Sequence, residues 1–197
     1  LACSRLARTV GSTDLADDRS TVLRLAWNRT VQVDAHQYFV EPSVSFGLPI
    51  LGATRDAPGL PSTHTHHAFT KWALAAGWVV RLPYGSIDYA GQFSGQYSRA
   101  SVIGQEQIHL GGLASVRGFD ESLVSGDRGY LLRHELRLAG MTYRDGVAIT
   151  HFLHMDHGAV WLAGGPRNSL ASIGTGVRGS SGGAIWDAGV SVPVRRE

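Results

Sequence analysis

The chain has 197 residues, with 18 Lys and Arg against 16 Asp and Glu and a formal charge of +2, a length that suits one domain or part of one. At 43% hydrophobic and 17% charged it is too apolar for a disordered chain, and the near-zero net charge argues against a nucleic-acid footprint. Cys3 is alone, which excludes an intrachain disulfide and a cysteine metal cluster, and no apolar stretch approaches the roughly 20 residues of a membrane helix. Barrel membrane proteins stay open, because their strands are short and only alternately apolar.

The dominant pattern is alternation with period two, a strand signal. It predicts eight strands. In Thr21–Val31, Leu23, Leu25 and Trp27 share one face and Arg24 and Asn28 the other. Tyr38–Leu48 sets Tyr38, Val40, Val44 and Phe46 against Glu41, Ser43 and Ser45. Phe69–Leu82 sets Trp72, Leu74, Trp78 and Val80 against Lys71, Gly77 and Arg81. Ser86–Ser98 is the clearest, with Ile87, Tyr89, Phe93 and Tyr97 opposing Asp88, Gln92, Ser94, Gln96 and Ser98.

Arg128–Leu138 follows, with Tyr130, Leu132, Leu136 and Leu138 opposing Arg133, Glu135 and Arg137. In Val147–Trp161, Ile149, Leu153, Met155 and Trp161 oppose Thr150, His154 and Asp156. Leu170–Arg178 is Gly-rich and weaker, and Ala184–Val194 sets Trp186, Val190, Val192 and Val194 against Asp187 and Ser191. Leu1–Ser20 is polar with few periodic features and reads as an outer loop or a frayed end. The chain starts at Leu1 and stops at Glu197 just after an apolar run, so it reads as a piece of a longer protein.

These strands are long for a soluble sandwich and suit a tilted barrel strand, with one face fit for lipid and the other for a wet lumen. A soluble antiparallel sheet would alternate as well. The connections alternate short (Gln32–Gln37), long (Pro49–Ala68), short (Pro83–Gly85) and very long (Arg99–Asp127), then lose the contrast. Trp27, Trp72, Trp161 and Trp186 near strand ends fit an interfacial girdle or an ordinary core, and Trp78 need not belong to either ring.

The longest connection holds Gly111-Gly112-Leu-Ala-Ser-Val116-Arg117-Gly118-Phe119, then Ser125-Gly126-Asp127-Arg-Gly129 and Glu135-Leu136. This closely resembles the outer-membrane transporters of two-partner secretion, the hemolysin secretion/activation branch of the Omp85 superfamily. The hallmark of that superfamily is a Val-Arg-Gly-Phe/Tyr loop between the eleventh and twelfth strands of a sixteen-stranded barrel. Gly91-Gln-Phe-Ser-Gly-Gln96 and Glu106 are also similar to that branch. A second family motif, Asp-x-Gly on the thirteenth strand, is matched by Asp156-His-Gly158, with His154 where the family usually has Phe. The resemblance covers most of Lys71–Val194.

The resemblance implies an all-β fold: an antiparallel transmembrane barrel segment, residues 1–197 forming part of one barrel domain, the family's strands eight to fifteen. The first seven strands, the last strand and the periplasmic POTRA domains would lie outside it. It implies that the loop folds back into the lumen, where Arg117 meets Asp156 on the polar face of its strand. The guanidinium fork suits a carboxylate, Gly118 permits a close approach or a positive φ, and Phe119 anchors the tip. Glu135 and Arg133, two apart on one face, are expected to line the lumen as solvated or paired wall residues.

The implied function is export of a large unfolded exoprotein across the outer membrane, by a monomeric barrel in lipid, without cofactor, nucleic acid or catalysis. An Omp85 insertase is the alternative, and a passive closed pore another. His151-Phe-Leu-His154-Met-Asp156-His157 suggests a zinc hydrolase, but the spacing is wrong and alternation splits the ligands between two faces. His64, His66 and His67 read as a surface run.

Overall fold

The structure, a computed structural model, describes residues 2–10, 13–83, 86–142, 147–181 and 183–196. Its elements in chain order are β1 (Ala2–Val10), β2 (Thr13–Ala26), β3 (Arg29–Val33), β4 (His36–Leu48), β5 (Thr65–His66), β6 (Thr70–Arg81) and β7 (Ile87–Ser98). They continue with β8 (Ser101–Val102), β9 (Ile108–Leu110), β10 (Val124–Gly126), β11 (Arg128–Thr142), β12 (Ala148–Trp161), β13 (Arg167–Ser181) and β14 (Ala184–Arg196). The long strands form one ten-stranded antiparallel sheet in the order β1-β2-β4-β6-β7-β11-β12-β13-β14, with β3 beside β4. Among the described residues β1 and β14 are its two ends.

Each long strand of the sheet pairs with the next long strand in the chain, so the sheet is an up-and-down meander. Alternation along each strand then puts two unlike faces on the whole sheet. One face carries Trp72, Leu74, Leu136, Leu153, Met155, Ile173, Val190, Val192 and Val194, all exposed. This apolar band is far larger than the patches a soluble monomer leaves uncovered. The other face, here called inner, receives the connection between β7 and β11.

Among the described residues the larger hydrophobic cluster lies under that connection. Leu110 and Val116 from the loop are buried with Leu131, Val160 and Leu170 from the wall, and Ile108, Phe119, Leu123 and Val124 pack against them. A smaller cluster joins Val22 and Phe69 of the wall region to Val102 and Ile103 of the loop. The loop also pairs with the β4–β6 connection, through a short parallel ladder between β5 and β8.

Four local features depart from the sequence reading. The segment read as one strand, Thr21–Val31, is interrupted at Trp27 and Asn28, although its register against β4 is the same on both sides. Pro42 sits opposite the break and has no N–H to give, so only the bond from the Trp27 N–H to the Pro42 carbonyl, at 3.1 Å, spans it.

Leu1–Ser20 is expected as a loop or frayed end; Leu1, Gly11 and Ser12 lie outside the described residues, and Ala2–Val10 pairs antiparallel with the residues from Thr13 to Val22 instead. Thr21 lies opposite Leu48, the last residue of β4, so the part of β2 before it extends past its other neighbour. The extension is laddered to β1, and Arg19 ties it to the β4–β6 connection: its backbone N–H donates to Thr54 Oγ1 at 3.1 Å and its carbonyl accepts from the Thr54 N–H at 2.9 Å. No alternation is demanded of it, and none is present.

β13 is also longer than the weak Leu170–Arg178 signal. Two of its glycines lie beneath aromatic rings of neighbouring strands: Phe152 covers Gly176 and Trp186 covers Gly179. The rings supply the packing that the glycines lack. Trp78, set aside in the sequence reading, lies in register with Tyr38 on the apolar face, 6.3 Å from the Tyr89 ring. It thus belongs to an aromatic row near the short-turn ends of the strands.

Candidate functional site

The loop reaches the inner wall through three consecutive constraints. Gly111, Gly112 and Gly118 all have positive φ, at 108°, 97° and 87°. Such angles are open to glycine and strained for other residues. They fold residues 111–119 into a compact tip, closed by the Gly112 N–H donating to the Phe119 carbonyl at 3.1 Å. Val116 and Phe119 then join the apolar cluster, on either side of Arg117.

Arg117 is turned into the wall. Its Nε and Nη2 donate to the two oxygens of Asp156 at 2.6 and 2.8 Å, and its backbone N–H donates to Asp156 Oδ2 at 3.2 Å. Its third arm, Nη1, donates to Glu135 Oε1 at 2.7 Å. The Arg117 and Glu135 side chains are 8% and 9% exposed and Asp156 is 0% exposed, so the fork is dry. A desolvated pair gains little net stability, but losing one partner strands the other charge, at a cost of about 3–5 kcal/mol.

Asp156 and Glu135 come to one point because β11 and β12 are adjacent: Glu135 lies opposite His154 and Arg133 opposite Asp156. Gly158 completes the seat. A Cβ there would lie 2.8 Å from Leu110 Cδ1 and 2.9 Å from the Tyr130 carbonyl oxygen, so only glycine admits the loop at this spacing.

The remaining motif residues frame the loop's exit. Asp127 is fully buried and acts as a hub. Its Oδ1 accepts from the Val102 N–H at 2.8 Å and from Ser101 and Gln107 at 3.2 Å, and its Oδ2 accepts from the Ala163 N–H at 2.7 Å. It ties the start of the loop, its end and the β12–β13 turn together. Gly126 closes β10 and Gly129 sits in β11, both against the backbone of β12.

Several neighbours were not distinguished by sequence reasoning. Arg133 and Glu135 are more than wall residues. Arg133 donates to the carbonyls of Leu113 and Ala114 at 3.1 and 3.2 Å, and so grips the tip backbone. Arg137 donates to the outer oxygen of Glu135 at 2.8 Å, and Arg178 lies 3.7 Å from it. Phe152, two residues before His154, lies under both Arg117 and Arg178, at 5.9 and 5.1 Å from ring centre to guanidinium carbon. An aromatic ring beside the arginine is therefore present, one inward position away from where the family pattern puts it. His154 bonds the Ser191 hydroxyl at 2.9 Å instead. The only signal for these residues was the inward parity they share.

The histidine-rich run divides as alternation requires. His154 and Asp156 are buried on the inner face, whereas His151 is exposed on the other. Among the described residues no three His, Cys, Asp or Glu side chains gather as a metal would need. In the β4–β6 connection, Asp56 accepts from the N–H groups of His67 and Ala68 at 2.8 and 3.0 Å, with His66 3.5 Å away. Burial alone would raise the Asp56 pKa, but these bonds and the two histidines outweigh it and hold the carboxyl below its usual range.

A meander with an apolar outer face and a long loop ion-paired to its inner face is a segment of a β-barrel wall with an internal loop. A sequence model described as "Haemolysin secretion/activation protein ShlB/FhaC/HecB" matches residues 12–179, and the chain belongs to this family. It is 32% identical over 145 residues to the outer membrane transporter CdiB of Dickeya dadantii, covering 74% of this chain and 26% of that protein. It is 34% identical over 142 residues to the hemolysin transporter protein ShlB of Serratia marcescens, covering 68% of this chain and 24% of that protein. The chain thus spans about a quarter of the length of these curated relatives. The structure of CdiB from Escherichia coli superposes with a TM-score of 0.83 at 22% identity, over 94% of this chain and 35% of that one, which shows the shared barrel fold.

Proposed function

We propose that this chain is part of the single barrel domain of an outer-membrane pore that exports a large secreted protein in two-partner secretion. The apolar face meets lipid, with Trp72 and Tyr97 toward one interface and Tyr38, Trp78 and Trp186 toward the other. The inner face lines the lumen, and the loop lies inside it. Export through such a pore needs no cofactor and no bond-making step. The lumen wall touches the passing chain weakly through arginine, glutamine and serine side chains, without reading its sequence.

The observation that carries this reading is the dry fork between Arg117 and the wall carboxylates. A loop that served only as an exterior cap would gain nothing from placing a guanidinium between two buried acids. A loop whose position sets the pore needs a contact that is specific and costly to break. Relatives named as a hemolysin transporter and as outer membrane transporters support the same assignment.

The test is charge reversal in the full-length protein, scored as release of large proteins into the medium at equal outer-membrane abundance. Arg117→Glu and Asp156→Arg should each block release, and the double swap should restore part of it. If both single variants release normally, the loop position is irrelevant to export and the proposal fails. A loss of other outer-membrane barrels from the cell, in place of a loss of release, would favour an insertase.

A further inference from the structure

The loop meets the wall at a second place. Glu106, eleven residues before Arg117, ends a short turn (Gly104–Glu106) and is buried. Its carboxylate accepts from Lys71 Nζ at 2.5 Å and from Arg24 Nη2, to both oxygens, at 2.9 and 3.0 Å. Its carbonyl accepts from Lys71 Nζ at 2.9 Å and from Gln96 Nε2 at 2.8 Å. Arg24 Nε in turn donates to Ser45 at 3.1 Å. Three wall strands, β2, β6 and β7, therefore converge on one loop residue, and β4 braces the contact through Ser45. Lys71, the single lysine of the chain, has an 8% exposed side chain. A lysine buried so far is retained only where it is paired.

The polarity of this contact is the reverse of that at the tip. At the tip the loop supplies the cation and the wall supplies Asp156 and Glu135. At the root the loop supplies the anion and the wall supplies Lys71 and Arg24. A loop displaced toward the root would set Arg117 against Lys71 and Arg24. Such a juxtaposition acts against wrong docking, as charge patterns do in specific interfaces. The apolar seats differ as well: Val102 and Ile103 pack with Val22 and Phe69 at the root, whereas Val116 packs with Leu131, Val160 and Leu170 at the tip.

We propose that Glu106, Lys71 and Arg24 form a second, opposite-signed clamp that positions the loop, fixing its root and its register so that the tip docks at high effective concentration. These are positioning residues, since they act through Arg117. The inference rests on the reading of the loop as a lumen element of a pore. With the root held, rebinding of the tip is intramolecular. With the root free, the tip must search for Asp156 on a longer tether, and its occupancy falls.

The experiment uses the purified full-length protein in planar lipid bilayers, with potassium chloride conductance as the readout. Lys71→Glu and Glu106→Lys should each raise the open probability roughly tenfold, the scale of a typical coupling between two sites. The double swap Lys71→Glu/Glu106→Lys should bring it back toward wild type, and Glu106→Asp should change it least. Where a reversal keeps the barrel from folding, Glu106→Gln, which retains the shape and removes the charge, carries the same expectation. Wild-type gating in Glu106→Gln, or a double swap as open as the singles in a folded barrel, overturns the proposal. Protein release from the same strains separates the two ideas. A wild-type strain that releases no more protein than a deletion strain defeats the export reading, while conductance still decides whether the clamp exists.

Discussion

The two faces of β12 share one backbone and differ in what specifies them. Inward, Phe152, His154, Asp156 and Val160 are buried against the loop or the wall, and each makes a contact that a different side chain would lose. Outward, Leu153 and Met155 are 59% and 53% exposed, on the face opposite the loop. Single atoms decide the inner face, whereas the outer face needs only a low cost of contact with an apolar solvent. Substitutions on the inner face should therefore report on the loop, and those on the outer face on the barrel as a whole.

The comparison is broken most severely by Asp156→Ala. It leaves Arg117 buried with Glu135 as its one remaining close acid, and should destabilise the docked loop by about 3–5 kcal/mol. Trypsin, which cleaves after arginine, should then cut at Arg117 in the folded full-length protein, where the wild type resists. Leu153→Arg is the outward counterpart. It should cost the barrel about 2–4 kcal/mol if it lies near mid-membrane, measured by reversible urea unfolding in lipid vesicles. The trypsin resistance of Arg117 should survive it, and cleavage there would show that the faces are coupled.

Gly158→Val comes next, at about 1–3 kcal/mol, because its side chain must displace Leu110 or the wall. It should loosen the loop without touching any charge. Met155→Leu, a volume-conserving outward change, should cost less than about 1.5 kcal/mol and leave the proteolysis pattern alone.

Asp56 lies on neither face and sharpens the contrast from outside. Its carboxyl is held below the ordinary value of about 3.9, so the β4–β6 connection is fully supported above that pH and loses support as pH falls through the folded value. Asp56→Asn should lower the amide-exchange protection of Ala68 at neutral pH and leave Arg117 resistant to trypsin. Unchanged exchange at Ala68 would show that the carboxylate does not hold this connection.

The wall was legible wherever burial of one face imposed period two. Ile87 to Ser98 alternates cleanly, with Ile87, Tyr89, Phe93 and Tyr97 on the apolar face and Asp88, Gln92 and Gln96 on the inner one. Legibility failed where no such alternation was imposed. The β1–β2 hairpin extends past its neighbour, and its sequence carries no face. β13 borrows rings from Phe152 and Trp186, so its own glycines hide the strand. Arg133 shows a different limit. Its inward parity was readable, but its grip on the Leu113 and Ala114 carbonyls depends on where a loop twenty residues earlier comes to rest.

By itself the sequence determined the strands and their two unlike faces, because strand period is a local property, whereas the barrel order and the motif loop were legible through the resemblance to the transporter family. Only the tertiary structure decided which inward charges meet. Lys71 and Glu106 are 35 residues apart, and Arg117 and Asp156 are 39 apart. Partners at such distances are chosen by strand register and by the path of the loop across the wall. Each side chain alone states a charge, and the fold states what that charge is for.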